Sequence, residues 1–216
     1  MPATLYIFNG SPPARTALIT ANAVGLPFDV HVFKGRDDLN TPEMLKINPQ
    51  HTVPFLNDNG QIVSDSHAIS AYLIEKYGKN DSLYPKDLHQ RAIVNQRMFY
   101  DASVIFPCLS SILGGFMRKE YKTIPKEKIE PVQEVYKTLE KYLDGKKWIA
   151  GNNVTIADFS CGTTTSSLDF LHPIDKKVYP KVDDWLNRVK KLPYFKNDEQ
   201  QFEHFKKFVY TISNWD

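Results

Sequence analysis

The sequence of 216 residues predicts an α/β domain in its first third, followed by an all-α domain. Strand and helix patterns alternate over residues 1–80, which is typical of an α/β unit. Residues 81–88 are polar and turn-rich, and beyond them strand patterns nearly vanish while helical spacing dominates. We therefore predict two domains, residues 1–80 and 89–216, joined by a linker at 81–88.

The first half of the α/β domain is predicted to be a β-α-β unit. Residues 4–8 form a short apolar strand, and Ser11, which precedes two prolines, opens a helix that Gly25 closes. Residues 28–33 alternate apolar and polar side chains as a second strand does. A helix between two neighbouring strands implies a right-handed parallel crossover.

A hairpin and a further helix complete the domain. Thr41, which precedes a proline, favours the start of a short helix. Residues 53–56 and 61–63 flank the turn sequence Asn-Asp-Asn-Gly and predict a hairpin, after which a helix over residues 66–77 ends at Gly78. The resulting order, β-α-β-α-β-β-α, is that of a thioredoxin-like sheet. The second domain is expected to contain about five helices, broken near residues 123–125, 145, 172–173 and 192–193.

The composition excludes several classes of function. The 27 basic and 25 acidic residues are spread along the chain, so nothing indicates nucleic-acid binding. The N-terminus lacks the pattern of a secretory signal and no run approaches the ~18 apolar residues of a membrane span, so we expect a cytoplasmic protein without membrane partners. Two cysteines, Cys108 and Cys161, are too few for a disulfide framework and are expected to be buried thiols.

Ser11 supports two interpretations. A serine ahead of two prolines is a good N-cap, since proline is tolerated in the first helical turn. A hydroxyl at the carboxyl end of the first strand, beside a helix N-terminus, also lies where an anionic sulfur would be stabilised. The residue taken alone favours the cap.

Residues 48–54 end in Val53 and Pro54. A proline directly after the residue that starts a strand cannot donate to the sheet, which indicates an edge position or a cis bond. A cis bond would turn the backbone N–H and C=O of Val53 outward, where a peptide ligand could pair with them as an added strand. A plain turn is the simpler alternative.

Asp65 and Ser66 stand at the start of the last helix of the α/β domain. Capping of that helix is the simpler interpretation. The pair also places an anion beside hydrogen-bond donors. This combination suits a γ-glutamyl group, which carries an ammonium and a carboxylate on one carbon.

Together these segments resemble the cytosolic glutathione transferases of the insect delta and epsilon classes, with epsilon the more similar. The resemblance runs nearly from end to end and implies glutathione as co-substrate and a homodimer. In its last stretch Thr155 and Asp158 have the spacing of a capping box, so we assign Asp158 to folding. The matching stretches are residues 11–15, 48–54, 65–69, 82–85, 150–151 and 155–159.

The resemblance implies that Ser11 donates a hydrogen bond to the glutathione sulfur. A thiol of pKa ~8.5 is only about 3% thiolate at neutral pH, and lowering its pKa by about two units takes roughly 2.7 kcal/mol. One hydrogen bond to a charged acceptor, about 1.5 to 3 kcal/mol, together with a helix N-terminus is sufficient. No metal is required.

The other matching residues would bind glutathione. Asp65 and Ser66 would hold the γ-glutamyl end, and the backbone of Val53, before a cis Pro54, would pair with the cysteinyl unit. Three further residues would line the pocket: His51, which faces the glycyl carboxylate, Thr52 and His67.

The electrophile is expected to lie against the helical domain, in a hydrophobic pocket. Apolar side chains recur there at roughly helical spacing, and because most such stripes are core, we expect about half of these residues to contact substrate. Such a pocket suits halogenated xenobiotics and lipid peroxidation products. The candidates are Phe106, Leu109, Leu113 and Phe116, with Phe8 and Phe205 from the two ends of the chain.

The leading hypothesis is conjugation of glutathione to small electrophiles, with peroxidase and dehydrochlorinase reactions as variants of the same thiolate. The alternative is a carrier of hydrophobic ligands on the same fold. Disulfide exchange is disfavoured because no cysteine lies near position 11. Asp65 stands where most relatives carry glutamate, and Ser110 where an arginine is expected; both bear on glutathione affinity rather than on the thiol chemistry.

Overall fold

A computed structural model describes residues 3–25, 27–195 and 198–214. It confirms the predicted fold class, an α/β thioredoxin-like N-terminal domain followed by an all-α C-terminal helical domain. The N-terminal elements are β1 (Ala3–Ile7), α1 (Pro12–Val24), β2 (Phe28–Val32), α2 (Arg36–Leu39), α3 (Pro42–Ile47), β3 (Phe55–Asp58), β4 (Gln61–Ser64) and α4 (Ser66–Tyr77). The helical elements are α5 (Leu88–Tyr100), a π-helical turn (Asp101–Ile105), α6 (Phe106–Met117), α7 (Lys126–Tyr142), α8 (Ile156–Leu171), α9 (Pro180–Lys190), a short 3-10 helix (Pro193–Phe195) and α10 (Asp198–Ser213).

The sheet has the strand order β2-β1-β3-β4. β1 is parallel to β2 and antiparallel to β3, and β3 is antiparallel to β4. Tyr6 is therefore opposite Phe55, which is opposite Ser64. The carboxyl ends of β1 and β4 and the amino end of β3 consequently meet at one edge of the sheet, which is where Ser11, Pro54 and Asp65 follow or precede their strands.

The second strand, β2, does not bury its alternate side chains, although its sequence alternates apolar and polar residues. Val30 and Val32 are 43% and 42% exposed, although their partners on β1, Leu5 and Ile7, are buried. β2 is one of the two edge strands of the sheet, so a neighbouring strand flanks its valines on one side only. Alternation thus identified the strand but not its burial.

The hairpin is tighter than the sequence predicts. β3 continues through Asn57 and Asp58, which leaves a two-residue turn at Asn59 and Gly60. The polar Asp58 is buried within the strand because α4 supplies its partners. One carboxylate oxygen of Asp58 accepts hydrogen bonds of 2.6 Å from Tyr72 Oη, Tyr77 Oη and Lys76 Nζ. Burial alone would raise the pKa of Asp58, but these hydrogen bonds outweigh it and hold the pKa well below its usual range.

The described part of the helical domain contains five continuous α- or π-helical runs and the short 3-10 helix, in agreement with the prediction of about five helices. The first, Leu88–Met117, comprises 30 residues and is long and apolar enough by length and composition to span a membrane, contrary to the sequence-based expectation. Its buried side chains, among them Val94, Ile105 and Ile112, belong to the hydrophobic core of the domain. The run packs beside α8 and α7.

Helix α8 lies at the centre of this domain. Asp158 at its start is fully buried and accepts hydrogen bonds from the N–H groups of Thr155 (2.8 Å), Ile149 (2.9 Å) and the Trp185 indole (2.9 Å). The predicted capping box is therefore confirmed. Burial raises the pKa of Asp158 to about 6, so the carboxylate still holds its donors at neutral pH.

Candidate active site

Ser11 occupies the N-cap position of α1 but does not cap it with its side chain. Its backbone carbonyl accepts the first helical bond from the Arg15 N–H at 2.9 Å, with Pro12 and Pro13 in the first turn. Among the residues that the structure describes, the Ser11 side chain makes no capping hydrogen bond to α1. The hydroxyl is half-buried at the positive end of a thirteen-residue helix. It therefore remains available to a ligand.

The loop of residues 48–54 is shaped by the buried amide of Asn48. Its Nδ2 donates to Thr52 O (2.8 Å), and its Oδ1 accepts from Ser64 Oγ (3.1 Å), which ties the loop to the end of β4. His51 has a φ of 39°, and the Val53–Pro54 peptide is cis. His51 and Thr52 are exposed, Val53 is half-buried and Pro54 is buried. Asn48 was not assigned a role from sequence, although a buried asparagine in a loop commonly organises it.

Asp65 lies at the junction of β4 and α4 with a φ of 75°, in the left-handed region that a residue with a side chain rarely adopts. Its Oδ1 caps α4 by accepting the N–H groups of His67 (2.8 Å) and Ala68 (3.2 Å). The side chain is 58% exposed, whereas the neighbouring Ser66 is buried. The capping interpretation of Asp65 is thus confirmed, and the exposed carboxylate also faces solvent beside the loop of residues 48–54.

His67 lies between two carboxylates. Its Nδ1 is 3.1 Å from Asp65 Oδ1 and its Nε2 is 3.0 Å from Asp101 Oδ2 in the π-helical turn. Burial alone would lower the pKa of His67, but the hydrogen bonds and charges of Asp101 and Asp65 outweigh it and raise the pKa to about 9. The imidazolium thus joins the two domains beside the site.

Of the six residues predicted to contact the electrophile, three are buried and three are half-buried. Leu109, Phe116 and Phe205 are 0%, 4% and 2% exposed and lie in the core rather than on an open surface. Phe106 and Leu113 are half-buried on α6, three residues before Leu109 and Phe116 respectively. Phe8 is half-buried at the end of β1, 6.0 Å from the Phe33 ring.

A family model described as the glutathione S-transferase N-terminal domain matches residues 5–81, and one described as the glutathione S-transferase C-terminal domain matches residues 102–193. Glutathione S-transferase 1 of Manduca sexta is 40% identical over 89% of this chain and 90% of its own length. The chain belongs to the glutathione S-transferase family.

Solved structures agree with this assignment. An epsilon-class glutathione S-transferase from the housefly, Musca domestica, superposes with a TM-score of 0.91 at 41% identity and covers 98% of both chains. A glutathione transferase homologue from Drosophila mojavensis with bound glutathione superposes with a TM-score of 0.92 at 39% identity, over 97% of both chains. The predicted resemblance to insect glutathione transferases is confirmed, and the family's co-substrate is glutathione.

Sequence reasoning gave Arg15 of this transferase no role of its own. Arg15 is 2% exposed and donates from Nε and Nη2 to the two oxygens of Asp198, both at 2.7 Å. It also donates to Ser166 and Ser167 on α8, at 3.1 Å each, and to the Thr163 carbonyl at 3.3 Å. Arg15 is the single charged residue of the first helix, and that was the available signal, since buried charges are almost always paired.

Proposed function

We propose that this transferase conjugates the glutathione thiolate to small apolar electrophiles, with Ser11 holding the thiolate. The observation that carries the proposal is that the Ser11 hydroxyl, at the N-terminus of α1, makes no capping hydrogen bond within the described part of the chain. Its hydrogen bond and the helix dipole both favour the anionic sulfur, because each interaction is stronger with the thiolate than with the thiol. Ser11 acts as an activator, and the glutathione sulfur is the nucleophile.

We further propose that residues 1–80 bind glutathione with the predicted set of residues. The γ-glutamyl ammonium binds the exposed Asp65 carboxylate, next to Ser66. The cysteinyl unit of glutathione pairs with the backbone of Val53 as an added strand does. The glycyl carboxylate lies near His51, and Thr52 lines the pocket. This arrangement is supported by the sheet register, which brings both segments, residues 48–54 and 65–66, to the edge that also carries Ser11.

In this proposal His67 acts on glutathione through Asp65. Both of its ring nitrogens are close to carboxylates, so the imidazolium fixes the Asp65 side chain by one hydrogen bond and Asp101 fixes the imidazolium by another. Two carboxylates and one imidazolium carry a net negative charge, which favours the ligand's ammonium. Asp65 is therefore held in place without losing its attraction for the γ-glutamyl group.

The electrophile is proposed to bind residues 89–216 against Phe106 and Leu113, with Phe8 opposite. These three side chains are half-buried, so a ligand can cover them, while Leu109, Phe116 and Phe205 support them from the core. The substrates fitting this surface are halogenated xenobiotics and lipid peroxidation products, which makes detoxification the proposed role. Peroxidase and dehydrochlorinase reactions draw on the same thiolate and belong to the proposal.

We also propose a cytoplasmic homodimer. Phe99 is 67% exposed and Val104 39% exposed on the helical run Leu88–Met117, and a second copy would cover such apolar side chains. Both cysteines are free, as expected in a reducing compartment. Light scattering of the purified protein should give twice the mass of the chain; a monomeric mass would contradict the dimer.

Conjugation by Ser11 variants tests the proposed function. The wild-type enzyme should form the glutathione adduct of a chloronitrobenzene, and S11A should lower kcat by about 10- to 100-fold, since one charged hydrogen bond contributes about 1.5 to 3 kcal/mol. The control S82A removes an exposed hydroxyl of the linker and should conjugate at the wild-type rate. Equal rates for S11A and S82A would remove Ser11 from the mechanism.

A further inference from the structure

The loop that precedes Ser11 is held by a side chain of the last helix. Gln201 on α10 accepts the N–H of Gly10 through Oε1 at 2.8 Å and donates through Nε2 to Asn9 Oδ1 at 3.1 Å. One amide therefore uses its acceptor and its donor on the two residues directly before Ser11. These partners are separated by more than 190 residues of sequence.

The loop also lies directly on the backbone of α10. Gly10 has a φ of +78°, and a Cβ added to it would lie 2.4 Å from the backbone nitrogen of Phe205. No side chain fits between the two backbones, since real Cβ atoms do not approach so closely. The path of the chain into Ser11 is consequently set by α10 as well as by β1 and α1.

A second contact fixes α10 on the other side of Ser11. Asp198, three residues before Gln201 and so on the same face of α10, forms the paired hydrogen bonds to Arg15. Arg15 lies one turn after Ser11 in α1. Helix α10 thus binds the chain immediately before Ser11 and one turn after it.

We propose that Gln201 is a positioning residue for Ser11, an inference that rests on the proposed function. By fixing the peptide between Asn9 and Gly10, the Gln201 amide restricts the directions that the Ser11 hydroxyl can take. A hydrogen bond to a thiolate weakens steeply as it bends, so a loosened loop stabilises the thiolate less. Gln201 touches neither the sulfur nor the electrophile in this account; it acts through Ser11.

The test compares Gln201→Met with the matched control Gln200→Met. Both replace an amide by a thioether of similar length on α10, and Gln200 is exposed. Titration of the bound thiolate by its ultraviolet absorbance should show the pKa of the glutathione thiol raised by about 0.5 to 1 unit in Q201M, with kcat lowered about 3- to 10-fold. The KM for glutathione should change by less than about twofold, because the residues proposed to bind glutathione are untouched. Q200M should match the wild type in every respect.

Combination with S11A shows whether Gln201 acts through Ser11. In that background Q201M should leave the thiol pKa unchanged, since no hydroxyl remains to be positioned. An equal pKa rise with and without Ser11, or a Q201M enzyme identical to Q200M, would overturn the inference. Should Q201M not fold, Asn9→Ala provides the test, because Asn9 is exposed and its replacement removes the hydrogen bond from Gln201 Nε2. N9A should then raise the thiol pKa, and an unchanged pKa would overturn the inference.

The two proposals fail in different ways. A wild-type protein that forms no adduct, or an S11A enzyme that is fully active, contradicts the proposed function itself. An impaired S11A enzyme together with an unimpaired Q201M contradicts only the positioning role of Gln201.

Discussion

Arg15 of α1 and Asp198 of α10 form two parallel hydrogen bonds of 2.7 Å, from Nε to Oδ1 and from Nη2 to Oδ2. The Arg15 side chain is 2% exposed and that of Asp198 is 10% exposed, so this ion pair is screened little by solvent. The remaining guanidinium hydrogen bonds reach the central helix α8. One side chain of the N-terminal domain therefore connects two helices of the other domain.

Arg15→Met should strongly destabilise the protein. The variant leaves Asp198 without its cation and the α8 hydroxyls without a donor, and breaking a buried pair from one side costs about 3–5 kcal/mol. Denaturant unfolding measures the loss. As a control, K137M breaks the exposed ion pair with Glu134 and should change stability by less than about 1 kcal/mol. Similar losses of unfolding free energy in both variants would show that the buried ion pair stabilises the protein no more than the exposed one.

Gly10→Ala should be far more harmful than Gly25→Ala. Both glycines have φ values in the left-handed region, +78° and +68°. A Cβ at Gly25 meets nothing within 4 Å, so G25A carries only the backbone strain of about 1–2 kcal/mol. G10A adds the clash with Phe205 and should lose stability and conjugation together, as thermal melts and rate assays would report. Equal effects of the two substitutions would contradict the close approach of α10.

Stability should depend on the protonation of His67. Its pKa rises from 6.5 to about 9 in the folded protein, so the contribution is fully present below pH 6.5 and is lost as the pH rises through 9. The unfolding free energies of wild type and H67Q should therefore differ most just below pH 6.5, and the difference should shrink by about 1–3 kcal/mol on reaching about pH 10. Chemical denaturation across this range provides the measurement. A difference that grows with pH would contradict the assignment.

Asp58→Asn should loosen the hairpin from α4. The carboxylate accepts three hydrogen bonds on one oxygen, and a neutral amide weakens all of them, which should lower stability by about 1–3 kcal/mol. Since the pKa of Asp58 is held low, its contribution persists well below neutral pH and is lost only in strong acid. D144N, at the exposed ion pair with Lys181, is the matched control. An equal unfolding midpoint for D58N and D144N would count against the network.

Local sequence patterns predicted most of the fold. The two prolines after Ser11 and the left-handed Gly25 delimit α1 as expected, and Gly78 follows α4. The four-residue helix α2 was missed because it spans only about one turn, which is too short to show a helical repeat of apolar residues. Asp58 was placed in a turn because its burial depends on Tyr72, Lys76 and Tyr77 of α4, which local composition does not show.

In the candidate site, too, some residues could be recognised from local sequence and others could not. Ser11, Asp65 and Val53 stand next to strand or helix boundaries, so their segments could be recognised from turn and capping signals. Gln201 and Arg15 could not, because their partners are separated from them by more than 180 residues and are joined only by the packing of α10. The two interpretations of Asp65 prove compatible, since one of its oxygens caps α4 while the side chain remains exposed.

The most direct test of the central claim is the pKa of the glutathione thiol bound to wild-type and S11A enzymes. Ultraviolet titration of the thiolate should give a value about two units below that of free glutathione for the wild type, and a value shifted back by about one unit or more for S11A. An S11A complex whose thiol titrates at the wild-type pH would show that Ser11 does not stabilise the thiolate.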